Sequence, residues 1–227
     1  MRPLARDAAI AGVIAVGVAL LAWRGSPGPA SAAVIVPSPT LDSRVTPPKG
    51  TQTAVFAGGC FWGIEAVYEH VKGVTRAVSG YAGGNVVKPD YEQVSSGRTG
   101  HAEAVEVTFD TSVVSYGQLL KVFFSVAHDP TELNRQGPDV GTQYRSAIFY
   151  ANDEQKRIAE AYIDQLTKAK TFPRPIVTQV APLKTFYPAE DYHQDYLVHH
   201  MDQPYIVIND LPKLDHLKQR LPELYRR

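Results

Sequence analysis

The stretch Thr53-Ala54-Val55-Phe56-Ala57-Gly58-Gly59-Cys60-Phe61-Trp62-Gly63-Ile64 decides the fold. Its first five residues are an apolar run of strand length, and two glycines break it. Helical spacing then takes over, with Phe61, Ile64, Val67, Tyr68 and Val71 on one face and Gly73 closing the helix. A buried strand turned by glycines into a helix starts a β-α unit, and the chain continues in that manner. Val74 to Tyr81 reads as a second strand ending in Gly83-Gly84. Ala102 to Phe109 reads as a third, where Ala102, Ala104, Val105, Val107 and Phe109 alternate imperfectly with Glu103, Glu106 and Thr108. Tyr116 to Ala127 has a Leu- and Phe-rich helical side, and Arg145 to Tyr150 is a strand. Asn152 and Gln155 suit a capping box for a helix from Asp153 to Lys170, and Ile176 to Val180 is the last core strand. The order predicts an α+β fold: a two-layer sandwich with a ferredoxin-like β-α-β-β-α-β core and a C-terminal extension.

The chain has 227 residues, 44% of them hydrophobic, enough for a sizeable core. Its 23 Lys+Arg balance 23 Asp+Glu, which argues against nucleic acid as a partner. The near-neutral charge and the lack of heptads favour a monomer. A single Cys excludes an internal disulfide and a thiolate-rich zinc site. Arg2 and Arg6 precede the uncharged run Ala8 to Trp23, and Ala30-Ser31-Ala32 offers a small-residue cleavage pattern. Residues 1–32 therefore read as a signal peptide or an N-terminal membrane anchor. Both place the globular domain outside the cytoplasm, periplasmic or tethered to the membrane. Residues 33–50 read as a Pro-rich linker without secondary structure, and 51–227 as one domain.

Cys60 stands where the strand stops and the helix starts. Unpaired N–H groups at a helix N-terminus stabilise a thiolate, so its pKa is expected below the free value of about 8.5. A buried, inert Cys is the alternative. Phe61 and Trp62 fit either core packing or an aromatic wall beside the sulfur. Glu103, among small apolar neighbours, suits a proton donor with a raised pKa, or an exposed strand-end carboxylate. Asp139, in a Gly-containing loop, fits substrate contact or turn formation, and Tyr91 fits substrate contact or ordinary packing. A Cys–His hydrolase would pair Cys60 with His101, His128 or His193, and a metal site from His193, His199 and His200 is a weaker alternative. A non-catalytic binding module would keep the pocket without turnover.

Gly58-Gly59-Cys60-Phe61-Trp62-Gly63, Gly100-His101-Ala102-Glu103-Ala104-Val105, His128-Asp129-Pro130, Gly141-Thr142-Gln143-Tyr144-Arg145-Ser146 and Pro188-Ala189-Glu190-Asp191-Tyr192-His193 occur in one order. Together they resemble the peptide methionine sulfoxide reductase A family, specific for the S epimer at sulfur, from about Thr51 to Tyr205. The resemblance implies that Cys60 attacks the sulfoxide sulfur as a thiolate and that Glu103 protonates its oxygen. It implies hydrogen bonds to that oxygen from Tyr91 and Tyr144. Phe61 and Trp62 would wall the methyl pocket, and Asp139 would position the peptide. No bound cofactor is implied, and the substrates would be oxidised proteins or peptides. Many family members carry further Cys residues that capture the sulfenic acid. This chain has none, so an external thiol is expected: a thioredoxin-like protein, a glutaredoxin or a small thiol.

Overall fold

The computed structural model describes residues 36–43 and 50–227. The expected export segment, residues 1–32, lies outside them, and among the described residues no helix is long and apolar enough to cross a membrane. In chain order the elements are β1 (Thr51–Ala57), α1 (Phe61–Glu69), β2 (Val74–Ala82), α2 (Tyr91–Ser95), β3 (Ala102–Asp110) and α3 (Tyr116–Val122). The short strands β4 (Arg135–Gln136) and β5 (Asp139–Val140) precede β6 (Ala147–Tyr150) and α4 (Asp153–Lys168). The chain ends with β7 (Gln179–Pro182), β8 (Phe186–Pro188), α5 (Tyr196–His199) and α6 (Leu211–Arg220).

The main sheet runs β7-β6-β1-β3-β2-β8. Its four central strands are mutually antiparallel, and their order is that of the expected ferredoxin-like core. β7 joins the far edge in parallel and β8 the near edge antiparallel. Alternate residues of β3 divide between the faces: Val105, Val107 and Phe109 enter the large core under the helices, while Ala102 and Ala104 enter a second cluster behind the sheet. Both faces are covered at the start of the strand, which is why its sequence alternates imperfectly. Glu103 is in phase with the helix-side residues. In the main core Phe56 stacks between Tyr68 and Phe123, with ring centroids 5.1 and 5.2 Å away.

Several boundaries move from their expected places. α1 ends at Glu69, and Gly73, at φ +86°, turns the chain into β2. The helix expected over Tyr116–Ala127 is α-helical only to Val122, and Phe123–Ala127 wind as a wider π turn. Asn152 accepts from Gln155 N, but the Gln155 carboxamide oxygen accepts from Ala151 N instead of closing the box on Asn152. α4 stops at Lys168, with Lys170 left-handed at φ +50°. The last strand begins at Gln179 because Val177 N donates to Pro130 O, away from the sheet.

The described part of the expected linker is docked on the domain. Val36 is buried in the main core, Tyr162 Oη donates to Pro37 O at 2.6 Å, and Gln165 bonds both Ser38 O and Thr40 N. Asp42 accepts from Gly117 N at 2.7 Å and from the N-cap hydroxyl of Ser115 at 2.5 Å. A Cβ on Gly117 would stand 2.5 Å from Asp42 Cγ, so the glycine makes room for this second cap on α3. The contact lies at the end of the sheet where Thr51 pairs with Asp110, about 20 Å of strand from Cys60. Asp42→Ala is therefore expected to lower stability by about 1–2 kcal/mol in urea denaturation and leave activity unchanged. An unaltered midpoint would show that the docking contributes nothing.

Candidate active site

The turn between β1 and α1 is shaped by what crowds it. A Cβ on Gly58 would lie 2.8 Å from the His128 ring, and one on Gly59, at φ +100°, would lie 2.6 Å from Gln136 Cβ. The glycines let these side chains close over the turn and bring Cys60 to the N-cap of α1. Cys60 is only 8% exposed. Its side chain makes no cap hydrogen bond, while Phe61 N donates to Glu103 Oε2 at 3.1 Å. Thus β3 and the first turn of α1 meet at the thiol and the carboxyl.

The motifs downstream arrange the remaining groups. Glu190 accepts from Tyr91 N at 2.9 Å and from Tyr81 Oη at 2.8 Å, fixing the start of α2. Gln143 Nε2 donates to Ser95 O at 3.0 Å and Arg145 to Gly100 O at 3.0 Å, so the loop bearing Tyr144 is tied to α2 and to the entry of β3. Tyr91 and Tyr144 both feel the charges of Glu103 and Cys60, which places the four groups in one cluster. Asp139, half-buried, accepts a short hydrogen bond from Tyr205. Trp62 Nε1 donates to His193 Nδ1 at 3.2 Å, and Tyr196 stacks on the indole at 3.7 Å.

Contacts and mutual charge effects group Cys60, Phe61, Trp62, Tyr91, Glu103, Asp139 and Tyr144 in one region. Phe61 is fully covered, packed against Tyr81 and His193, because the helix start is deeply buried. The aromatic surface left for a ligand is that of Trp62, with Phe61 supporting it from beneath. Tyr205, Tyr196 and the indole-orienting role of His193 were not legible, since they lie in an extension without sustained periodicity. The hydrolase pairing does not form: the nitrogens of His101 face Gly84 N and Val86 O, and those of His128 face Phe123 O and Ser146 Oγ. His193 is engaged by Trp62 and His200 by Tyr196 O. Among the described residues no three His, Cys, Asp or Glu are placed to hold a metal ion.

Burial dominates the electrostatics. It pushes the Glu103 carboxyl up to about 8 against the Phe61 N–H, with Asp139 and Asp210 adding to the rise. It also holds the Cys60 thiol well above its ordinary value, aided by Glu103 and Asp210 and opposed by Trp62 N–H and Lys213. The lowered thiol pKa expected from the helix N-terminus is thus overturned in the substrate-free site. A helix end supplies about 0.3–2 kcal/mol, whereas full burial shifts a group by up to about 3–5 pKa units. Burial likewise pushes His128 down to about 4, so this ring is neutral. The folded Glu103 titrates near 8 and the free carboxyl near 4.5. Native protein therefore holds the extra proton between those values, and stability is lost as pH rises through that window. Glu103→Gln escapes the loss, so its Tm advantage should widen from the lower pH to the higher; a constant difference would contradict the raised carboxyl.

Comparison with known proteins agrees with this geometry. A family model described as peptide methionine sulfoxide reductase matches residues 52–224. The peptide methionine sulfoxide reductase MsrA 2 of Mesorhizobium japonicum is 62% identical over 185 residues, which cover 82% of this chain and 94% of that protein. A protein of the same name from Synechocystis is 51% identical over 188 residues, covering 82% and 88%. Among solved structures, reduced Mxr1 of Saccharomyces cerevisiae aligns with a TM-score of 0.60 at 33% identity, over 72% of this chain and 92% of its own. Methionine sulfoxide reductase A of Corynebacterium diphtheriae aligns with a TM-score of 0.58 at 36% identity, over 74% and 85%. A family model spanning most of the chain, and relatives matched over nearly their whole length, establish that the chain belongs to the peptide methionine sulfoxide reductase family.

Proposed function

We propose that this protein reduces the S epimer of methionine sulfoxide in oxidised proteins and peptides to methionine, through a sulfenic acid on Cys60. The observation that carries the reading is a buried thiol beside a carboxyl that keeps its proton at neutral pH, bonded to the same helix turn. A sulfoxide oxygen leaves only when protonated, and a positioned acid contributes about 10² to 10⁴ in rate. Cys60 sulfur attacks the sulfoxide sulfur as its proton departs, and Glu103 gives its own proton to the oxygen. The attack forms a sulfur–sulfur bond to the substrate; the protonated oxygen then passes from the substrate sulfur to Cys60 as that bond and the original sulfur–oxygen bond break, leaving sulfenic acid on Cys60 and free methionine. The proton from the thiol restores Glu103. Tyr91 and Tyr144 donate to the oxygen while charge develops on it. Burial pushes the Tyr91 phenol up to about 12 and raises Tyr144 as well, so both remain donors. Trp62 receives the substrate methyl group over Phe61, and Asp139, held by Tyr205, positions the peptide.

With one Cys in these 227 residues, the sulfenic acid is not captured internally. An external thiol condenses with it, releasing water and leaving a mixed disulfide, and a second thiol frees Cys60. A thioredoxin-like protein, a glutaredoxin or a small thiol supplies them. Export completes the reading, supported by Arg2 and Arg6 ahead of the uncharged run Ala8 to Trp23.

Turnover with dithiothreitol on each epimer tests the proposal: the S form should be consumed and the R form left. Consumption of neither would refute the activity, and equal consumption the specificity. Cys60→Ser should abolish reduction, and retained activity would remove Cys60 as nucleophile. The single-turnover rate should fall as pH rises through about 8, where Glu103 loses its proton; a rate still climbing well above that pH would remove Glu103 as the acid.

A further inference from the structure

The mechanism leaves a buried ion pair beside the thiol without a task. Asp210 is fully buried, its Oδ1 accepts from Lys213 Nζ at 3.0 Å, and its Oδ2 has no partner. Both residues come from the C-terminal extension, at the join between the π turn Ile206–Asp210 and α6. The pair is seated on Gly63, the third residue of α1. A Cβ there would fall 2.7 Å from Asp210 Cγ and 2.9 Å from Lys213 Nζ, and would collide with Asp210 Oδ1. The glycine therefore admits a carboxylate and an ammonium to the turn that carries Cys60. A buried ion pair is weak evidence for stability, because desolvation offsets much of its attraction. Tying α6 to α1 is a task an apolar contact could perform equally well.

We propose that the Asp210–Lys213 pair, seated on the helix turn that carries Cys60, is a positioning element of the reaction that acts by its charges on the thiol and on Glu103. This deepens the functional reading above and rests on it. The two reacting groups need opposite treatment: Glu103 must stay acidic and Cys60 must ionise. A lone anion would serve the first and hinder the second. Asp210 raises Glu103 and Cys60 alike, while Lys213 acts against that rise at Cys60. The other charged groups acting on the thiol and the carboxyl are Glu103 itself, at Cys60, and Asp139 on the β5 strand, at Glu103, while the phenols of Tyr81, Tyr91, Tyr144 and Tyr205 feel the charge of one or both. None of these is a cation. Lys213 supplies a positive charge that acts on Cys60.

The test titrates the thiol directly, by the pH dependence of Cys60 alkylation with iodoacetamide in the intact protein, so it is independent of sulfoxide reduction. Lys213→Met should lower the alkylation rate about tenfold at a given pH, a rise of roughly one pKa unit, and leave the high-pH limb of single-turnover reduction in place. Asp210→Asn should raise the alkylation rate about tenfold and move that limb to lower pH. The double variant, which leaves no unpaired buried charge, should return alkylation toward the native profile, and Lys213→Arg should keep it. Should Asp210→Asn not fold, Lys213→Met, Lys213→Arg and the double variant decide the matter. Unshifted profiles, or shifts of the same sign in both single variants, would overturn the proposal and leave a structural tie. If no variant reduces sulfoxide but the alkylation shifts occur, the pairing stands and the assigned reaction fails.

Discussion

The hydrogen bond from Phe61 N to Glu103 is the contact on which the site depends. It joins a helix start to a central strand through a buried carboxyl. β1 sets Cys60 at the N-cap, the two glycines allow His128 and Gln136 to close over it, and β3 brings Glu103 in from the helix-covered face. Losing this register by one residue would turn Glu103 to the small alanine cluster behind the sheet and leave the thiol without an acid.

The depth of that junction governs its chemistry. An isolated helix terminus favours the thiolate, yet burial of Cys60 and Glu103 outweighs the terminus and keeps a proton on both groups before substrate arrives. This protonated resting state suits the reaction, because the oxygen must receive a proton as the sulfur attacks. It also suits an enzyme with a single Cys: a thiol held protonated resists casual oxidation better than a thiolate does. The surrounding phenols stay neutral for the same reason and remain donors.

Much of this was legible in the sequence where local signals suffice. The strand, glycine turn and helix around Cys60 are written in adjacent residues, and Glu103 stands out as a carboxyl between Ala102 and Ala104, although an exposed strand end fitted the sequence equally well. Burial depth was not legible, since it is set by elements far along the chain. Phe61 became a covered support for that reason, and the thiol rose where a lowered value was expected. The C-terminal extension was the least readable region. Its short α5 and π turn lack a sustained period, yet they deliver Tyr196, Tyr205 and Asp210. Residues 36–43 hid a docked strap in a Pro-rich stretch, because the fit of Asp42 to Gly117 and Ser115 is purely tertiary.

The central claim is that Glu103 is a carboxylic acid at neutral pH in the folded, substrate-free protein. Infrared difference spectra between the native chain and Glu103→Gln test it directly. A protonated carboxyl band should be present at pH 7 and vanish with a midpoint near about 8. A carboxylate already formed at pH 7, titrating near the ordinary glutamate value, would contradict it.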